Sequence, residues 1–407
     1  MKKYFLLLSL SLFLFNCNRI IDTKYQKYDF EFKGNTYNGQ PYKFSKEIEE
    51  VELKEKGHQF ASWEYSYIGN NEKVLKLWNI NSKETKKLSD EEIEQFGLYT
   101  PHSAIPYIIN QANKHQITII NEAHHKPQHR VFTTKLLEKL YDGGYRHLGL
   151  ETLLNNSKTD SLIQIHRYPV MENGYYIKEP QFGNLIRRAI EIGFKLFSYE
   201  SLSHSTSKER EINQAKNISK YMATYPNEKI LIHCGFAHAE EGILNNNWEK
   251  AMAGRLSEFT GINPLTINQT IYSEKDRKEV ENPYYQLTNV SEPTIYINNN
   301  GNIFGKEKGN WYDIFVFHPR TKDKIRPEWL LHGNRKKVIL NLEKLEIEFP
   351  CLVLAYLGKE EIGYAVPYDV VETNNKKVTL ILEQGKYNII ILNHKNESVL
   401  IEKEIKN

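Results

Sequence analysis

The chain of 407 residues exceeds any single small module, and at roughly 150 residues per domain it predicts two or three folded units. With 40% hydrophobic and 26% charged residues it is neither a multi-span membrane protein nor a disordered chain. Lys and Arg total 54 against 51 Asp and Glu, a net charge of +3 with the signs mixed along the chain, which argues against nucleic acid as a partner.

Lys2 and Lys3 precede an apolar run over residues 4–15, broken only by Ser9 and Ser11, which meets Asn16 and Cys17. About twelve residues are too few for a membrane-spanning helix, which needs roughly twenty, so residues 1–17 read as an export signal. A Cys placed directly after the apolar core resembles the bacterial lipobox. That likeness implies a lipid anchor at Cys17 and a place in the bacterial cell envelope, at the outer membrane or, without the lipid, exported to the periplasm. Residues 18–97 read as a lead-in. The β-prone runs 60–68 and 74–80, on either side of Gly69, Asn70 and Asn71, predict a hairpin, and Ser89 with Glu92 predicts a capping box that opens a short helix.

From residue 98 to 285 strand-like runs alternate with amphipathic stretches. Strands are predicted at 117–120, 147–150, 195–199, 229–234 and 264–268. Between them, Phe132, Leu136 and Leu140 follow Pro127 and stop at Gly143; Leu185, Ile186 and Ala189 follow Pro180 and stop at Gly193. A third apolar stripe carries Ile212, Ala215, Ile218 and Met222, and a fourth Trp248, Ala251, Met252 and Phe259. Repeated strand–helix units imply a largely parallel sheet covered by helices, an α/β fold. Beyond residue 288 the helical period gives way to short β-prone runs at 294–297, 312–317, 337–341, 351–356, 378–382, 387–392 and 398–402, which predict a C-terminal all-β sandwich over 288–407, immunoglobulin-like in pattern. Cys234 and Cys351 each lie inside an apolar run and read as buried small hydrophobes; there is no CxxC.

In an open parallel sheet ligands bind beyond the carboxyl ends of the strands. The first predicted strand runs into Asn121, Glu122, Ala123, His124 and His125, the second ends at Glu151, the third at Glu200, the fourth reaches His238 and the fifth Gln269. Carboxylates and imidazoles gathered at one edge suit general acid–base chemistry or a divalent metal. Two-residue spacing puts Glu122 and His124 on one side and sends His125 to the other. His129, four residues beyond His125, could join it in a metal pair but reads rather as lying on an exposed helix face. Arg210 and Glu211 open the third helix near the same edge, where a guanidinium could orient Glu151 or hold a substrate anion.

Asn121 to His124 after a strand, the helix from Pro127, Glu151, Arg210 with Glu211, and His238 in Cys-Gly-Phe-Ala-His together resemble the erythromycin-esterase and ChaN-like superfamily, which is also similar to the TIKI and TraB proteases. The resemblance covers about residues 98–275, with Asn121 where the family's Gly-Glu-x-His signature has Gly. It implies a catalytic edge built from Glu122, His124, Glu151 and His238. The expected function is exported hydrolysis of an ester or amide in a small-molecule or peptide substrate. Two versions stand open: a metal-free one in which His124 takes a proton from water, and one in which Glu122, His124 and His238 hold a divalent metal ion. Alternatives are a surface lipoprotein that binds haem or another iron compound through His124, His125 or a Tyr, and a non-catalytic scaffold that binds a ligand.

Overall fold

A computed structural model describes residues 25–33, 41–201, 206–244, 246–305, 311–323 and 325–406; the expected export signal over residues 1–17, with Cys17, lies outside these. In chain order the strands are β1 (Gln26–Lys27), β2 (Tyr99–Ser103), β3 (Ile117–Glu122), β4 (Tyr145–Leu150), β5 (Lys195–Ser198), β6 (Lys229–Gly235), β7 (Leu265–Asn268), β8 (Thr294–Asn298) and β9 (Ile314–Phe315). The C-terminal strands follow: β10 (Lys336–Asn341), β11 (Cys351–Leu357), β12 (Asp369–Thr373), β13 (Lys377–Leu382), β14 (Gly385–Asn393) and β15 (Ser398–Ile405).

The α/β expectation is borne out. Strands β5-β4-β6-β3-β7-β9 form one parallel sheet. Its central strand β3 is buried throughout, as a parallel strand covered on both faces must be. Alternation along the strands divides the core. Ile117, Ile119, Ile230 and Ile232 pack with Ala215, Ile218, Met222 and Leu256 on one face, whereas Ile120 and Leu231 pack with Phe132, Leu136, Leu185 and Ala189 on the other. The helices Pro127–Asp142 and Pro180–Ile192 begin on proline, whose missing N–H costs nothing in a first turn, and the second stops at Gly193 with φ 110°. Ser89 and Glu92 form the expected reciprocal cap on the Asp90–Phe96 helix.

Toward the C-terminus a five-stranded antiparallel sheet, β1-β15-β14-β11-β12, faces the pair β10-β13. Val338, Leu340, Leu380 and Leu382 meet Val353, Ile389, Ile391 and Ile401 between them, giving the sandwich its own core. The other side of β11, through Leu352 and Leu354, joins the apolar cluster of the α/β part, and Arg187 pins the two parts by an Nε donation of 2.8 Å to Glu360. Cys234 and Cys351 are free and buried.

Three expectations need correction. Residues 60–68 and 74–80 form no hairpin: His58–Tyr67 and Asn71–Trp78 are helices, the second capped by Asn70 accepting from the Lys73 N–H. Buried Ala61, Tyr65 and Ile68 already carry helical spacing, which the aromatic content obscured. Thr294–Asn298 and Ile314–Phe315, expected in the sandwich, belong elsewhere: β8 pairs with β2, and β9 extends the parallel sheet beyond β7. Strand periodicity reveals a strand but not the sheet it joins. Asp369–Thr373 is a strand that the sequence reading did not contain.

Gly149 is the penultimate residue of β4, where an added Cβ would lie 2.6 Å from Phe197 Cζ and 2.7 Å from Ile232 Cδ1. Gly149→Ala is expected to destabilise the protein by about 1–3 kcal/mol through overpacking, read as a lower urea midpoint. An unchanged midpoint would mean that β4, β5 and β6 do not pack as described.

Candidate active site

The carboxyl edge of the parallel sheet brings together all six residues singled out from the sequence. Glu122 closes β3, Glu151 follows β4, Gly235 closes β6 and His238 lies in the short turn Phe236–Ala239 after it. Arg210 and Glu211 enter from the first turn of the Ser207–Thr224 helix, whose start is fixed by a capping box between Thr206 and Glu209.

Two imidazoles are each held at Nδ1 by a carboxylate. His124 Nδ1 is 2.8 Å from Glu122 Oε1, and His238 Nδ1 is 2.8 Å from Glu211 Oε2. A carboxylate can only accept, so Nδ1–H is the tautomer in both rings and Nε2 is the working nitrogen. Glu151 lies between them. Its Oε1 is 3.5 Å from His238 Nε2 and accepts from Arg210 Nη2 at 2.7 Å, while its Oε2 accepts from the Gly235 N–H. A Cβ at Gly235 would collide with His124 Cε1 and Nε2 and come 3.3 Å from Glu151 Oε2, so only glycine lets this ring and carboxylate share the space above β6. Arg210 also donates through Nε to Glu200 at 3.0 Å and reaches His238 Nε2 through Nη1 at 3.0 Å.

Arg130 fixes the Glu122–His124 half of the site, and the sequence reading missed it. Fully buried, it donates to both oxygens of Glu122 at 2.7 Å, to the His124 carbonyl at 2.8 Å and to Glu179 at 3.0 Å. The signal was present: first-turn residues of a helix that follows a strand stand at the carboxyl edge, and the argument applied to Arg210 holds equally for Arg130. His129, expected on an exposed face, is buried by the same geometry, with Nδ1 accepting from the Ala123 N–H at 3.0 Å.

Aromatic rings wall the site. Tyr176 stacks on His124 at 4.1 Å, Phe236 meets it edge-on at 5.0 Å and Trp248 stacks on His238 at 4.9 Å. Trp63, from the lead-in, approaches His124 at 6.3 Å. His125 lies outside this cluster, stacked on Trp78 at 3.9 Å and only 2% exposed. The proposed metal set is not assembled. Glu122 gives both oxygens to Arg130 and one also to His124, and among the described residues no three His, Cys, Asp or Glu side chains are grouped to hold a metal ion.

Burial favours neutral carboxyls, yet Arg130 and the His124 hydrogen bond outweigh it and hold Glu122 well below its ordinary pKa. For Glu151 burial is likewise outweighed, by His238, His124 and Arg210, and its pKa falls to about 2. Burial would lower His238, but Glu151 and Glu211 outweigh it and raise the imidazole. In its neutral form His238 accepts from Arg210; once protonated it faces Glu151.

No protein-family model matches the chain, and no curated protein matches it. Among solved structures it is similar to the type III effector HopBA1, with 12% identity, 54% of this chain and 96% of that chain covered, and a TM-score of 0.33. It is similar to ChaN of Campylobacter jejuni, described with cofacially bound heme, at 9% identity over 55% of this chain and 97% of that one, TM-score 0.33. The C-terminal region of Pasteurella multocida toxin, described as having a thiol-protease-like catalytic triad, matches at 9% identity, with 76% of this chain and 49% of that chain covered and a TM-score of 0.31.

The buried imidazoles generate a pH dependence. Burial, outweighing the pull of Glu122 on His233, lowers His233 to about 4, and burial with Lys126 and Lys135 lowers His318 to about 3, against an ordinary 6.5. Because the folded values are depressed, this contribution to stability is full above pH 6.5 and is lost as pH falls through 4 and 3. His238, being raised, works in the opposite sense and is one group against several, since His125 and His129 are also lowered. Denaturant midpoints should therefore fall steadily as the pH is lowered from 6.5 toward 4. A flat profile over that range would show that these rings are not buried neutral.

Proposed function

We propose that the chain is a hydrolase of ester or amide bonds that uses water as nucleophile and the paired imidazoles as base and acid. What carries this reading is the pairing in the site: two histidines are each tied at Nδ1 by their own glutamate, and Glu151 lies 3.5 Å from His238 Nε2 and feels the charge of His124 as well. His124 Nε2 takes a proton from the attacking water, and Glu122 stabilises the imidazolium that forms. Arg130 neutralises Glu122 enough to keep it ionised at the base of this relay. His238, protonated and held between Glu211 and Glu151, returns a proton to the leaving oxygen or nitrogen. The sequence contains no GxSxG elbow, in keeping with attack by water rather than through a serine acyl-enzyme.

The test uses a panel of p-nitrophenyl esters and p-nitroanilides. His124→Ala and His238→Ala should each lower kcat/KM at least about 100-fold, the scale of general acid–base catalysis, with the melting temperature little changed. His125→Ala should be far milder on turnover. Failure of the intact protein to cleave any of the panel, together with a Soret band on haemin titration that His124→Ala abolishes, would replace hydrolysis by binding.

We propose export to the cell envelope with a lipid anchor at Cys17, supported by Lys2 and Lys3, the apolar run and the position of the cysteine. Cys17→Ser should move the protein from the membrane to the soluble fraction with its fold intact. Unchanged membrane association would sink the anchor.

A further inference from the structure

At one lateral edge the parallel sheet terminates at β5, which pairs with β4 alone. Among the described residues no strand covers its other side, so the N–H and C=O groups directed away from β4 are open. A cavity of ≈ 970 Å³ runs beside this edge and is lined by all four residues of β5, with the Pro180–Ile192 and Ser207–Thr224 helices and Ile163 and Gln164 of the Ser157–His166 helix around it. Its aromatic side is tied down by contacts. Phe197 of β5 stacks on Tyr221 at 3.8 Å, and the Tyr221 hydroxyl is held by His147 Nδ1 at 2.8 Å, with the His147 ring held in turn by Glu228.

The charges on this cavity are of one sign. Arg167, Lys195 and Lys220 line it and no carboxylate side chain does. Among the described residues none of the three forms a salt bridge; Lys195 instead lies over the Tyr225 ring at 4.8 Å. An open strand edge invites backbone pairing, and lysine on it repels strands that carry the same charge. A second copy of this edge would bring three cations against three, so self-pairing is disfavoured. An acidic strand would meet complementary charge and open backbone groups together.

We propose that β5 is a docking edge for an extended acidic segment of a partner protein, which adds a strand to the sheet and lays its carboxylates among Arg167, Lys195 and Lys220. Backbone hydrogen bonds supply the pairing, and the cations select the sign of the partner. This surface is separate from the His–Glu site and stands whether or not that site hydrolyses anything.

The test is fluorescence anisotropy with the full chain and a labelled octapeptide of alternating Glu and Val. Binding is expected, weakened about tenfold by Lys195→Glu with Lys220→Glu and by added salt, as rim charges act, and lost when alternate residues of the peptide are N-methylated. Both substituted lysines are exposed, so their loss should leave the melting temperature unchanged. The proposal is overturned by absence of binding, by equal binding of the N-methylated peptide, or by equal binding of a Lys–Val octapeptide. Displacement by inorganic phosphate of a peptide that binds regardless of N-methylation would make the cavity a small-anion pocket instead.

Discussion

Arg130 is a guanidinium with no exposed surface, and a buried ion must be matched on every side or it unfolds its surroundings. Its donors are divided between Glu122, Glu179 and the His124 carbonyl. Glu179 in turn accepts from the Phe182 N–H and so caps the Pro180–Ile192 helix. One cation thus joins the end of β3, the start of the Pro127–Asp142 helix and the start of the next long helix. Two acids share it unequally. Glu122, with two of its bonds, is held well below its usual pKa, whereas Glu179, with one, is raised because burial prevails. Breaking such a set by removing one member costs about 3–5 kcal/mol, since the remaining charge stays buried. The same cost is what obliges Glu122 to remain an anion beneath His124.

Much of this was legible in the sequence because the rules involved are local. Proline opening a helix, glycine closing it and alternate isoleucines in β3 and β6 each act within a few residues, and the strand ends then pick out Glu122, Glu151 and His238 without a structure. Arg210 and Glu211 yield to the same reading. The lead-in did not. Trp63 and Trp78 lie in helices whose aromatic side chains mimic β propensity, and their role as a wall over His124 and His125 arises from packing between segments distant in sequence. Thr294–Asn298 and Ile314–Phe315 were recognisable as strands, yet their partners β2 and β7 are chosen by tertiary fit. Trp248 shows the reverse error: counted on an apolar helical stripe, it precedes the Met252–Thr260 helix and stacks on His238.

The aromatic wall has an electrostatic consequence. His124 and Glu151 are each 8% exposed and His238 5%, so the charges of the site interact with little solvent between them. Coulomb attraction grows as the effective dielectric falls, which is why Glu151 is pulled down to about 2 despite its burial. Arg210 differs: its side chain is 36% exposed while touching Glu151, Glu200 and His238. It is the member of the cluster that solvent reaches most readily. A group arriving from outside therefore meets a guanidinium already occupied by two carboxylates. Its three nitrogens are already spent on Glu200, His238 and Glu151, so little positive charge is left for an incoming anion.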